Sequence, residues 1–182
     1  MQDDNDETRR ANLRATLRHL AIFDRDTFLF RMLADGANNV KRPPRYLTGT
    51  IKQHYKELWY ANRRGYGIFV QPNASDGKDH KHANIVSAPC FYVDLDEVPI
   101  ENLDRFPVPP HLILETSPGK YHAYWRVADI PLDCFSDVQA RLAALIGSDH
   151  RITDLPRIMR LAGFYHLKNP ENPYPVRIIE RP

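Results

Sequence analysis

The stretch HLILETSPGKYHAYWRV, residues 111–127, constrains the fold more than any other. Ser117, Pro118, Gly119 and Lys120 put proline second and glycine third in a four-residue turn, the pattern of a type II turn. Runs of β-forming residues flank it on both sides, so the segment predicts two antiparallel strands joined directly. A chain built on such a hairpin needs an antiparallel sheet and a layer that buries one of its faces.

Successive strand side chains alternate between faces. Tyr121, Ala123, Trp125 and Val127 therefore share one side, and His122, Tyr124 and Arg126 the other. The run FYVDLDEV, 91–98, divides the same way, with Phe91, Val93 and Leu95 opposite Tyr92, Asp94 and Asp96. Both strands predict a sheet with one apolar face under helices and one polar face left open for a ligand.

The neighbouring periodicities extend this pattern. Leu13, Leu17, Leu20 and Ile22 mark the inner side of an amphipathic helix whose outer side carries Arg10, Arg14 and Arg18. TFLFRML reads as a strand, ADGANN as a turn and KRPPRYLTGT as a loop. Thr50 or Thr48 can cap a helix over IKQHYKELWYANRR, and GYGIFVQPN reads as the next strand. ASDGKDHKHAN is a polar loop, LDCFSDVQARLAALIG a helix stopped by Gly147, and YPVRIIE a last strand. The order predicts an α+β domain with a largely antiparallel sheet.

The chain has 182 residues, 42% of them hydrophobic, which suffices for one full-sized domain. A formal charge of +2 is too mild to identify a polyanionic partner by itself. The two cysteines, Cys90 and Cys134, form no CxxC pair, so no disulfide framework or zinc site is expected and a reducing, cytoplasmic setting is. The sequence offers neither a signal-peptide core nor a run able to span a bilayer, so no membrane partner is expected.

Chemistry concentrates in three places. Asp94 and Asp96 project from the same side of their strand, about 6.6 Å apart at two strand steps, and hard carboxylate ligands at that spacing suit magnesium or manganese. An isolated pair of this kind is equally a solvated strand end. His122 and Lys120 sit just after the turn, where they can hold phosphate oxygens. Asp154 precedes Arg157 and Arg160, and a helical turn starting near Pro156 would bring both guanidinium groups to one side. Lys168 lies a little beyond.

Taken together, FYVDLD, SPGKYHAYW and TDLPRIMRLAGFYHLK resemble the archaeo-eukaryotic primase superfamily, and most closely the RepB-like primase and primase-polymerase domains of plasmids and phages. The resemblance runs from about Gly67 to Lys168. It implies an RRM-like catalytic unit over 67–182, with helices on one face of its sheet, and an N-terminal α/β unit over 1–66 in one primase-polymerase domain. By resemblance, Asp94, Asp96 and Asp154 bind two catalytic Mg²⁺ or Mn²⁺ ions, with Asp149 competing for the third place. His122, Lys120, Arg157 and Arg160 would hold an incoming nucleoside triphosphate. The implied activity is DNA-templated nucleotidyl transfer, priming or extending on single-stranded DNA. KRPPR and RRGYG would be template contacts, and a helicase or C-terminal domain of a larger protein a partner. Two departures stand out: Ala162 occupies the place of the usual proline in RLPG, and Pro118 a place where glycine is common.

Other readings keep a foothold in the residues. VDLDEV also resembles the first motif of haloacid-dehalogenase-type phosphatases, but that motif belongs near the start of a parallel α/β domain. HRITD faintly imitates the close of an exonuclease motif set, and His80-Lys81-His82 lacks the apolar centre of a relaxase pair. A non-catalytic RRM-like module for single-stranded nucleic acid explains an open sheet face but leaves three acids on a surface meant for a polyanion.

Overall fold

In a computed structural model of the chain, residues 6–36, 42–96, 98–128 and 130–180 are described. Helix α1 (Asp6–Leu20) leads into β1 (Phe28–Ala34), β2 (Arg45–Gly49), α2 (Ile51–Arg63) and β3 (Tyr66–Val70). A small β4 (Ala74–Ser75) and β5 (Ile85–Ser87) precede β6 (Cys90–Leu95), and β7 (Leu112–Ser117) and β8 (Lys120–Arg126) form the hairpin. Helix α3 (Leu132–Ile146) is followed by β9 (Met159–Arg160), β10 (Tyr165–His166), β11 (Tyr174–Pro175) and β12 (Arg177–Ile179).

Two four-stranded sheets organise the core, one ordered β2-β1-β3-β9 and the other β12-β7-β8-β6. All their pairings are antiparallel. This α+β arrangement is the expected fold class. The division expected after residue 66 falls inside β3, so the first sheet draws β3 and β9 from beyond it.

Local chemistry explains the elements. Thr50 closes a capping box with Gln53 at the start of α2. Gly147 ends α3 in the left-handed conformation, with its N–H donating to Ala143 O. Gly119 takes a φ of 71° in the hairpin turn. The loop expected over KRPPRYLTGT is half strand, because Arg45–Gly49 pairs with β1 in register from Phe28↔Gly49 to Met32↔Arg45. The turn expected over ADGANN runs into residues 37–41, which lie outside the described residues, as does Lys41 of KRPPR.

The open sheet face expected from strand parity is not open. Val93, Leu95, Ala123 and Trp125 pack under α3 with Leu142 and Ile146, as the alternation requires. On the opposite side Tyr92, Leu114 and Tyr124 are fully buried against Phe23, Phe30 and Phe135 of the larger core. The first sheet and α1 cover this face. Parity groups Tyr92 and Tyr124 with polar side chains, but the ring area of a tyrosine buries like that of any other aromatic residue.

Helix α1 also packs differently from its leucine pattern. Leu17 is 47% exposed, and the buried side is Thr16, His19 and Leu20. Besides its core contacts through Leu20, the buried side of α1 bonds to main chain. The Thr16 hydroxyl donates to Ala162 O at 2.8 Å, and His19 Nδ1 accepts from the Ala162 N–H at 3.3 Å. Burial pushes the His19 pKa down to about 3, which keeps the ring neutral and able to accept. A proline at 162 has no N–H to give, so alanine in place of the motif's usual proline is coupled to His19.

Gly163 has a φ of 85°, and a Cβ there would lie 2.2 Å from Asn12 O. Gly163→Ala is therefore expected to lower unfolding stability by at least about 2 kcal/mol, read as a fall in the urea midpoint at unchanged m-value.

Candidate active site

Strand pairing sets the centre. Asp94 on β6 lies directly opposite His122 on β8, which lies opposite Leu114 on β7. His122 Nε2 is 3.7 Å from Asp94 Oδ1, and Lys120 Nζ is 3.5 Å from Asp96 Oδ1. Asp96 lies one residue beyond the end of β6, so its side chain is aimed by the following bend rather than by strand parity.

A cleft of about 570 Å³ opens at this end of the sheet. Asp94, Asp96, Lys120, His122, Arg157 and Arg160 all line it, with His166 and Lys168 from the same late segment. Residues predicted from three separated stretches of sequence thus meet in one place. Asp154 is the exception. It is not among the lining residues, and its carboxylate pairs with Arg157. Asp149, the competing acid, brings its backbone N–H to 3.4 Å from Asp94 O, but it too is not among the lining residues, and its carboxylate pairs with Arg151 at 3.0 Å.

The arginines are not on a helical turn. Arg157 closes a turn over residues 154–157, with its N–H 3.3 Å from Asp154 O and its guanidinium held by Arg151 O at 2.7 Å, and Arg160 belongs to β9 opposite Phe69 of β3. The guanidinium of Arg160 makes a two-pronged ion pair with Asp35, at 2.8 and 2.9 Å, and lies 4.8 Å over the Phe69 ring. Asp35 also accepts from the Leu167 N–H at 2.9 Å. This aspartate was missed because its sequence context, just before a glycine, reads as a turn and carries no chemical pattern.

Of the basic segments expected to touch a template, Arg42, Arg45, Arg64 and Tyr66 line a separate surface groove beside α2. Arg45 is paired with Glu57 there, and Arg42 lies over Tyr66 at 5.6 Å.

The electrostatics favour a bound cation. Burial, reinforced by repulsion from Asp96 and Asp149, raises the Asp94 pKa to about 7. Its Oδ1 is buried without a hydrogen-bond donor. A carboxylate oxygen kept from water, with acids on both flanks and no donor, suits a hard divalent ion. Among the described residues no three His, Cys, Asp or Glu side chains converge on one point.

His122 is held neutral, its pKa pushed down to about 3 by burial and then by Arg160. The Tyr124 hydroxyl lies 3.4 Å from its Nδ1, and burial keeps that hydroxyl protonated. With Tyr124 O–H donating a hydrogen bond to Nδ1, the neutral imidazole would carry its own proton on Nε2, the nitrogen nearer Asp94.

Two outcomes are expected. Asp35→Ala strands the half-buried Arg160 guanidinium and should cost about 3–5 kcal/mol of stability by chemical denaturation. For Asp94, the folded pKa near 7 exceeds the ordinary value of 3.8, so the native state holds a proton that the unfolded chain has lost. That contribution is full below the lower value and disappears as pH rises through the higher one. In a chelator, stability should decline between about pH 4 and 7, and Asp94→Asn should flatten the decline.

A family model, the RepB DNA-primase N-terminal domain, matches residues 44–181. No curated protein matches the chain. Among solved structures, the AEP domain of the cyanophage S-2L primase-polymerase shares the fold with a TM-score of 0.72 and 22% identity, over 92% of this chain and 89% of that one. Primase RepB′ superposes with a TM-score of 0.74 and 21% identity over 93% of this chain, which spans 56% of the RepB′ chain. The catalytic domain of RepB′ in complex with initiator DNA gives 0.67 and 22%, covering 93% of this chain and 84% of that one. None of the described helices is long and apolar enough to cross a membrane. Matched over more than half of its length, the chain belongs to the RepB DNA-primase N-terminal domain family.

Proposed function

We propose that the cleft performs metal-dependent nucleotidyl transfer on a DNA template, joining a nucleoside triphosphate to a 3′-hydroxyl with release of pyrophosphate. The observation that carries this reading is that one cleft is lined by two acids, Asp94 and Asp96, together with the cations Lys120, Arg157, Arg160 and Lys168. Such a site accepts a triphosphate together with the divalent ions that accompany it.

Asp94 and Asp96 hold the Mg²⁺ or Mn²⁺ ions, and the nearness of Asp149 to Asp94 supports it as the third acid in place of Asp154. When bound, those ions stabilise charge on the attacking and leaving oxygens. Lys120 and Arg157 supply charge to the triphosphate, and neutral His122 donates from Nε2 without adding charge. Arg160 keeps its outer face for phosphate while Asp35 fixes its plane. One structural neighbour was solved with initiator DNA, which supports DNA as a partner of this chain, and we take the template to be single-stranded. A helicase or a further domain of the same protein belongs to the same proposal.

The test is incubation with single-stranded DNA, labelled nucleotides and Mg²⁺ or Mn²⁺. Asp94→Asn should lower polymer synthesis about a hundredfold or more, and a chelator should abolish it. Synthesis that is absent in the wild type, or indifferent to Asp94→Asn, would return the chain to a binding role. His122→Ala should raise the apparent KM for nucleotide while leaving the affinity for oligonucleotide unchanged.

A further inference from the structure

The segment that delivers Arg157 to the cleft contains no helix or strand. Between the end of α3 at Ile146 and the start of β9 at Met159 the chain is turns and loop. Ile152 and Leu155 bury their side chains in the core, but apolar packing is non-directional and does not orient the peptide planes between them. Direction has to come from hydrogen bonds to the main chain.

Two side chains from outside the segment supply such bonds. The Ser136 hydroxyl on α3 donates to Thr153 O at 2.9 Å, ahead of the turn over 154–157. Asn73 Nδ2 donates to Leu155 O at 2.9 Å, inside that turn. Asn73 thus grips the peptide that lies between the two charged ends of the turn, Asp154 and Arg157.

Asn73 is itself fixed to the first sheet. It is 1% exposed and stands just past β3, where the Gln71 N–H donates to Leu29 O at 3.1 Å. Arg25 fastens the two residues before it, donating to Gln71 O at 2.7 Å and to Pro72 O at 2.8 Å. The Arg25 guanidinium in turn lies 5.4 Å over Phe23 and 4.9 Å over Phe28. On its other side Asn73 is close to the buried Tyr92 hydroxyl of β6, which is also within reach of the charges on Asp154 and Arg157. The turn is therefore referenced both to the first sheet and to the strand that carries Asp94.

We propose that Asn73 is a positioning residue for Arg157: by holding Leu155 O it sets the turn that aims the guanidinium into the cleft, toward the triphosphate of a nucleotide. Removing the amide leaves a buried carbonyl without its donor, and the turn shifts to find another. The step from Arg157 to a nucleotide rests on the function proposed above; the hold on the turn does not.

Hydrogen exchange without nucleotide, and affinity for ATP and dATP with Mg²⁺ by calorimetry, test the two steps separately. In Asn73→Ala the peptide spanning 152–158 should exchange about fivefold faster, the net worth of one hydrogen bond, while peptides of β7 and β8 keep their rates. Nucleotide affinity should fall about fivefold in Asn73→Ala, and should fall no further when Asn73→Ala is added to Arg157→Ala. Asn73→Ser, whose hydroxyl is too short to reach Leu155 O, should do the same and serves where alanine does not fold. The proposal is overturned if exchange over 152–158 is unchanged, or if β7 and β8 accelerate equally, which marks a merely structural role. It is also overturned if a wild type that binds nucleotide loses no affinity on Asn73→Ala, or loses as much without Arg157 as with it. If the wild type binds neither nucleotide, the function proposed above falls, and exchange alone decides whether Asn73 holds the turn.

Discussion

The ion pair between Asp35 and Arg160 ties the cleft together. Asp35 follows β1, Arg160 lies on β9, and the same carboxylate takes the Leu167 N–H, so one side chain orients the segment from 160 to 168. Gly67 makes this possible: a Cβ there would lie 2.8 Å from Asp35 Oδ2. Such a pair adds little net stability over well-packed apolar groups, but it fixes direction. Without it, Arg160, His166 and Lys168 have no common wall to present.

The cleft exists because two sheets that share a core part company at one end. Tyr92 and Tyr124 seal the interior between them, and two residues further toward the open end the same parity delivers Asp94 and His122. Partial burial there raises the cost of leaving Asp94 charged, and that cost is what a divalent ion relieves. His122, drier still, stays neutral. Helix α1 braces the arrangement from behind by holding Ala162 and Gly163, the main chain immediately after Arg160.

Much of this could be read from the sequence, and the limits have physical causes. The hairpin, the Thr50 and Gly147 caps and the alternation of β6 and β8 are local, so spacing revealed them. The convergence of Asp94, His122 and Arg160 followed from the resemblance of three short motifs. Asp35 left no trace, since a single aspartate before glycine looks like a turn and its partner is 125 residues away. Asp149 and Asp154 were inseparable because both precede the same arginines; only tertiary contacts put the first beside Asp94 and the second on Arg157. The buried Tyr92 and Tyr124 misled in the other direction, since parity distinguishes faces but not what covers them. The bond from Asn73 to Leu155 O joins segments 82 residues apart, which no local pattern encodes.

The most direct test of the central claim is Mn²⁺ binding followed by electron paramagnetic resonance in the presence of a nucleoside triphosphate. The account predicts protein-dependent Mn²⁺ uptake that is lost in Asp94→Asn and in Asp149→Asn and kept in Asp154→Asn. Uptake indifferent to Asp94→Asn would contradict it.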